Sequence, residues 1–224
     1  AFLAREEDVH VRGLTLSDEQ HRYAQAAARQ AGLDDRLSFA LEDYRYDGGL
    51  YDRIVSVGMF EHVGIDYYGE YFAKLHDLLS PDGVALLHTI GRVDGPGITD
   101  SFIRKYIFPG GYIPALSEVV TAIERSDLII TDVEVLRLHY AETLRQWRRN
   151  FLANRERAMA LYDDRFCRMW EFYLAGSEVS FRHLGMVVYQ IQLARRQDAV
   201  PLTRDYLHDG GAAAATMAWP PSSP

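Results

Sequence analysis

Cysteine is nearly absent: the 224 residues hold one, Cys167. That excludes an internal disulfide and any CxxC metal site. Cys167 reads as a buried helical thiol, the usual place for a free cysteine. One thiol also suits a reducing cytoplasm. No apolar run approaches the ~18 residues of a membrane span, and the opening residues show no signal-peptide pattern. Basic charge is short as well. Lys and Arg number 24 against 32 Asp and Glu, for a formal net charge of −8. A nucleic-acid partner wants a basic face, so none is expected. Internal repeats are missing too.

Aromatic and apolar residues are plentiful: 14 Tyr, 10 Phe and 3 Trp in a chain that is 48% hydrophobic. That suffices for one packed α/β domain with an apolar pocket. Residues 9–14 alternate as a strand. Ser17 then stands as a helix N-cap with Gln20 at N3, a capping box. Gly32 closes that helix as a C′ glycine. A second strand is expected at 37–41, and a buried parallel strand in the β-branched run 52–57. A helix at 67–79, a turn at Ser80-Pro81-Asp82-Gly83 and a buried strand at 84–90 follow. Strands alternating with helices imply a mostly parallel sheet covered on both faces.

Beyond this, 94–112 reads as a Gly- and Pro-punctuated loop, 116–126 as a helix and 128–136 as a strand. Two long helices, 141–162 and 165–182, carry apolar stripes. Leu144, Trp147, Phe151, Ala158 and Tyr162 line the first; Phe166, Trp170, Tyr173, Ser177 and Phe181 line the second. A last strand spans 186–193. The domain is bounded at 1–195, and 196–224 is a tail expected to be disordered from about residue 210.

Such a sheet binds ligands beyond the carboxyl ends of its strands. Glu61 and His62 follow the strand ending at Val57, between Gly58 and Gly64. They form either a reactive pair or a turn with a surface Glu–His pair. His88 interrupts an apolar strand, where an imidazole without a partner costs ~1–3 kcal/mol; it is either structural or part of a site. His139-Tyr140 follows the strand ending near Leu136. The spacing of Glu61, His62, His88 and His139 matches no helical metal motif, so no metal is expected.

Several blocks carry a resemblance: Gly58-Met59-Phe60-Glu61-His62-Val63-Gly64, Leu87-His88-Thr89-Ile90-Gly91-Arg92, Tyr106-Ile107-Phe108-Pro109-Gly110-Gly111-Tyr112, His139-Tyr140 with Thr143, Leu144 and Trp147, and Phe172-Tyr173-Leu174-Ala175-Gly176. Together, in this order across residues 1–195, they resemble the cyclopropane-fatty-acyl-phospholipid synthases and mycolic acid cyclopropane synthases. The resemblance implies a class I methyltransferase, Rossmann-like, acting with S-adenosylmethionine on a cis double bond of a lipid acyl chain. It implies cofactor contacts at Thr15, Leu16, Ser17, Asp18, Glu19 and Gln20, at Asp43, Tyr44 and Arg45, and at Val57. It also implies a bicarbonate base beside Glu61, His88, the Ile90 backbone and Tyr140. An alkene attacks the methyl in line, and a base then removes a proton so that the ring closes.

Two other outcomes stay open. One is the same fold acting on a small amine or leaving an unclosed methyl branch; the other is a non-catalytic lipid- or cofactor-binding relative. Arg145, Arg148, Arg149, Arg155 and Arg157 form either a solvated helix face or a contact for anionic headgroups. The expected setting is therefore the cytoplasm, with peripheral membrane contact in play. The family's Gly-rich cofactor loop and first, central strand have no counterpart after Ala1. The expectations are a sheet interrupted at that strand and poor S-adenosylmethionine binding by these 224 residues alone.

Overall fold

The computed structural model describes residues 1–209; the expectation for the tail from residue 210 lies outside them. It divides into two compact units, residues 1–49 and residues 50 onward.

The first unit holds α1 (Phe2–Glu6), β1 (Val11–Thr15), α2 (Asp18–Gln30), β2 (Leu37–Leu41) and a 3₁₀ turn at Tyr44–Tyr46. The two strands run parallel, from Val11 opposite Leu37 to Thr15 opposite Leu41. Ala4, Ala28 and Leu37 form the small core, with Val11, Leu33 and Phe39 packed on it. Gly13 is required there, because a Cβ would lie 2.6 Å from the Phe39 ring. At the start of α2 only half of the capping box forms. Ser17 Oγ accepts the Gln20 N–H at 3.2 Å, but the Gln20 side chain turns to Thr15 Oγ1 at 2.8 Å. The Ser17 N–H is satisfied by the same threonine oxygen at 3.1 Å, which leaves Gln20 nothing to cap.

The second unit holds β3 (Tyr51–Val57), α3 (Tyr68–Leu78), β4 (Leu79–Arg92), α4 (Leu116–Ile123), β5 (Ile129–Leu136), α5 (His139–Ala153), α6 (Arg155–Leu161), α7 (Asp164–His183), β6 (Met186–Ala194) and α8 (Tyr206–Asp209). Its sheet has the order β3-β4-β6-β5. β3 pairs parallel with β4, and β6 runs antiparallel to both β4 and β5. Three strands therefore share a direction and β6 opposes them, so this α/β sheet is mixed, with one parallel and two antiparallel pairings. α5 and α7 cover one face through Ala141, Leu144, Leu174 and Phe181, which pack on Val188 and Ile90. The alternate residues of β4, Ala85, Leu87 and Thr89, are fully buried on the other face. Among the described residues β1 is hydrogen-bonded to β2 in one sheet, and β3 to β4 in the other.

Four further expectations change. The strand over 52–57 is not buried throughout: Val55 and Val57 are 57% and 61% exposed. β3 is an edge strand of its sheet, so the β-branched run that signals a covered strand lies partly open. The turn at 80–83 is absorbed into β4 as an irregularity. Pairing jumps from Tyr51–Leu79 to Arg53–Val84, and Gly83 is needed because a Cβ would meet the Ser80 carbonyl at 2.9 Å. The helix read over 141–162 breaks at Asn154, whose side chain donates to the Asn150 carbonyl at 2.9 Å and whose backbone leaves helical geometry. Tyr162 consequently falls off the stripe and is 67% exposed. Within 94–112 the loop contains a π-helical turn, Ile103–Ile107. Cys167 is buried, as expected. Among the described residues no helix is long and apolar enough to cross a membrane.

Candidate active site

β3 ends at Val57, and Gly58, at φ +66, turns the chain into the 3₁₀ turn Phe60–His62. Only a residue tolerant of positive φ makes that turn cheaply. The Gly58 N–H donates to the His88 carbonyl at 3.1 Å, holding the turn to β4. Phe60 anchors it from below, stacked on Tyr68 with ring centroids 4.2 Å apart. Glu61 is thereby pressed against β4. It is 8% exposed, and its Oε1 accepts the Ile90 backbone N–H at 2.6 Å. Its other oxygen, Oε2, is buried and finds no partner among the described residues.

His88 stands two residues before Ile90 on the same face of β4. Its Nδ1 lies 3.1 Å from the side-chain amide of Gln190. Its Nε2 is buried with no partner among the described residues. Burial pushes the imidazole below its ordinary pKa of 6.5, and the Glu61 charge works in the opposite direction. Tyr140, at the start of α5, brings its ring to 6.2 Å from that of His88. Burial first, and the Glu61 charge second, push the Tyr140 phenol above its ordinary range. At neutral pH the imidazole is thus neutral and the phenol protonated.

The expected quartet of Glu61, His88, Ile90 and Tyr140 therefore falls in one place. One detail differs from a set of independent contacts. The Ile90 N–H is bound by Glu61, so the open hydrogen-bonding positions are Glu61 Oε2 and His88 Nε2. His62 points elsewhere, its ring edge-on to Phe108 at 5.8 Å. Among the described residues no group of three His, Cys, Asp or Glu side chains is placed to hold a metal.

Support for Glu61 comes from Tyr112, part of one of the family blocks, and from Ala115 and Glu118, which no sequence signal singled out. The Tyr112 N–H donates to the Glu61 carbonyl at 2.8 Å. The Tyr112 hydroxyl donates to Glu118 Oε1 at 2.8 Å, and the other Glu118 oxygen accepts the Ala115 N–H at 2.8 Å. The loop before α4 is thus fastened at both ends. Tyr68 Oη, buried and unpartnered among the described residues, completes this layer. Gln190 was missed as well; it is one of two amides, with Gln192, in a largely apolar strand.

The expected cofactor residues divide between the two units. In the first, parallel pairing of Thr15 with Leu41 puts both following loops at one end of the strands. Leu16, Asp18, Glu19 and Gln20 are exposed there, and Ser17 is half-buried. Asp43 is held by Arg45 in a two-pronged contact, at 3.1 and 2.7 Å. The guanidinium keeps that carboxyl below the usual range. Tyr44 is half-buried. In the second unit, Val57 pairs in register with His88. Apolar side chains flank the quartet on the α5–α7 side: Tyr140 contacts Phe181 at 5.4 Å, and Tyr173 lies between Trp170 and Phe108 at 5.1 and 6.1 Å. Trp147 is half exposed. Of the basic residues on α5 and α6, Arg145, Arg148 and Arg155 are each bound to a carboxylate, those of Glu142, Glu178 and Asp164.

The family model for mycolic acid cyclopropane synthetase matches residues 1–191. The tuberculostearic acid methyltransferase UfaA1 of Mycobacterium tuberculosis is 42% identical over 83% of this chain and 45% of its own length. The cyclopropane-fatty-acyl-phospholipid synthase of Escherichia coli K12 is 38% identical over 87% of this chain and 50% of its own. The chain thus spans about half the length of these curated relatives. Among solved structures, the cyclopropane synthase MmaA2 of M. tuberculosis superposes with a TM-score of 0.80 at 32% identity, covering 86% of this chain and 72% of that one. The mycolic acid cyclopropane synthase CmaA1, complexed with SAH and CTAB, gives 0.79 at 32% identity over 85% and 72%. The fold is that of the class I methyltransferases, and the chain belongs to the mycolic acid cyclopropane synthetase family of S-adenosylmethionine-dependent methyltransferases.

Proposed function

We propose that this protein transfers the methyl group of S-adenosylmethionine to a cis double bond of a lipid acyl chain and closes a cyclopropane ring, with bicarbonate as the base. The observation that carries this reading is a pair of buried atoms without partners, Glu61 Oε2 and His88 Nε2, in one cluster with Tyr140. Native interiors rarely leave such atoms unpaired. One acceptor and two donors suit a small oxyanion that carries a hydroxyl.

S-adenosylmethionine supplies an electrophilic methyl, and bicarbonate supplies a base for the proton that methyl must lose before ring closure. The protein's share is placement. Glu61 Oε2 would accept the hydroxyl hydrogen of such an ion, while neutral His88, through Nε2–H, and Tyr140, through its hydroxyl, would donate to it. Burial keeps Tyr140 protonated and hence a donor. Aromatic faces nearby, Tyr140 and Tyr173 among them, favour the positive charge that develops on the chain. Thr15, Leu16, Ser17, Asp18, Glu19 and Gln20, with Asp43, Tyr44, Arg45 and Val57, are proposed to hold the nucleoside. The lipid reading draws on the names of the relatives, which include fatty acid and sphingolipid methyltransferases, and on the detergent CTAB in one of the related structures. Peripheral contact with a lipid surface, a cytoplasmic setting and a methyltransferase domain bounded at residue 195 belong to the same proposal.

The test is incubation of the full-length protein with S-adenosylmethionine, bicarbonate and vesicles of a monounsaturated phospholipid, followed by mass spectrometry and proton NMR of the acyl chains. The expected product has gained one CH₂ and shows the upfield methylene protons of a cyclopropane. A product of the same mass that keeps an olefinic signal assigns an unclosed branch instead. Unchanged lipid would overturn the proposal.

A further inference from the structure

In a buried neutral histidine the single ring proton sits on one nitrogen or the other, and its position decides whether the open nitrogen donates or accepts. We propose that Gln190 is a positioning residue that fixes His88 in the tautomer with its proton on Nε2. The first support is register. Gln190 on β6 stands directly opposite His88 on β4 in the antiparallel ladder, so the backbone itself delivers the amide to the ring. The second is polarity. The Gln190 side-chain nitrogen lies 3.1 Å from His88 Nδ1, and an amide NH₂ only donates. Nδ1 must then present its lone pair, and the ring proton goes to Nε2. The third is the state of Nε2 itself, buried and without a partner among the described residues.

The consequence concerns sign at the site. Glu61 is already an acceptor, so a second acceptor at Nε2 would leave an oxyanion facing two lone pairs with Tyr140 as the one side-chain donor. With Nε2–H in place, His88 donates beside the carboxylate. The charged groups around this pair are Glu61 beyond the ring and Glu134, which pairs with Gln190 from β5. The competing arrangement is the flipped amide, in which Gln190 Oε1 accepts from an Nδ1–H and Nε2 becomes an acceptor.

The inference rests on the role proposed for His88, but its main test needs no activity. The full chain is labelled with ¹⁵N-histidine, and the His88 ring signals are identified by their loss in His88→Gln. Two-bond nitrogen–proton correlations then report which nitrogen carries the proton. The expected pattern is protonated Nε2 and bare Nδ1 in the unsubstituted protein, with Nδ1 gaining a proton in Gln190→Glu and a mixture of tautomers in Gln190→Leu. An Nδ1–H tautomer in the unsubstituted protein, or an unaltered pattern in both Gln190 variants, overturns the proposal. In the lipid assay Gln190→Leu is expected to lower kcat about 10-fold, with KM for S-adenosylmethionine unchanged. Altered tautomers with unaltered kcat would instead count against the role given to His88.

Discussion

Glu61 is bonded to the backbone of Ile90: its Oε1 accepts that N–H at 2.6 Å, so a carboxylate from the turn after β3 is tied to the middle of β4. One oxygen thus fixes the side chain while the other stays open. This division separates the structural from the chemical work of one residue, and two substitutions resolve it. Glu61→Gln keeps an acceptor for Ile90 and removes the charge; Glu61→Ala removes both. Both are expected to lower lipid turnover by about 10²-fold or more. Only Glu61→Ala should also strand the Ile90 N–H, at a cost of ~1–3 kcal/mol. Thermal unfolding of the two variants beside the turnover assay checks this; equal stability of both, or normal turnover in Glu61→Gln, contradicts it.

Tyr140 brings its ring to 6.2 Å from that of His88, and its phenol is proposed as a donor. Tyr140→Phe retains the ring that packs on Phe181, so folding and S-adenosylmethionine affinity should change little. Turnover should fall by at least ~10-fold. Calorimetry and the lipid assay together decide; a drop in cofactor affinity equal to the drop in rate would move Tyr140 into the cofactor site.

The pH dependence of stability has a definite sign at His88. Burial holds its native pKa below 6.5, so on acidification the unfolded chain takes up the proton first. His88 therefore contributes fully above about pH 6.5, and the contribution is lost as pH falls through the lower native value. Unfolding temperatures measured from about pH 8 to pH 5 should fall more steeply for the unsubstituted protein than for His88→Gln. Parallel curves would show that the imidazole is not held down.

Gly91 follows Ile90 and faces the opposite side of β4. A Cβ there would overlap the Tyr189 ring and stand 3.3 Å from the Pro114 carbonyl. Tyr189 has little freedom to move, being 3% exposed and bonded through its hydroxyl to the Arg92 carbonyl at 3.0 Å. Gly91→Ala should destabilise by ~1–3 kcal/mol. Combining it with Tyr189→Leu should cost less than the sum of the two single changes, because the clash is removed. Denaturant titration of the three variants provides the comparison.

Much of this molecule was legible in one dimension. Val11–Thr15, Leu37–Leu41 and Met186–Ala194 lie within a residue or two of where alternation and apolar runs place strands, because those signals reflect local burial. Ser17 and Gly32 bound α2 as capping chemistry requires. Glu61, His88 and Tyr140 were identified as a set by the order of family blocks, with no help from periodicity. The break at Asn154 was less visible, since an asparagine inside a helical stripe interrupts it only when its side chain captures a backbone carbonyl.

The sequence by itself determined most of the elements, the family and the candidate groups of the site, all of which follow from near neighbours along the chain or from ordered blocks. The tertiary structure decided what those groups can do. Register across β4 and β6 set Gln190 against His88, residues 102 positions apart. The turn after β3 closed Glu61 onto Ile90, leaving one oxygen open. Strand order left Val55 and Val57 exposed at a sheet edge, although their β-branched run reads as a buried strand. Pairing, register and edge position depend on distant backbone hydrogen bonds, and no local pattern of residues contains them.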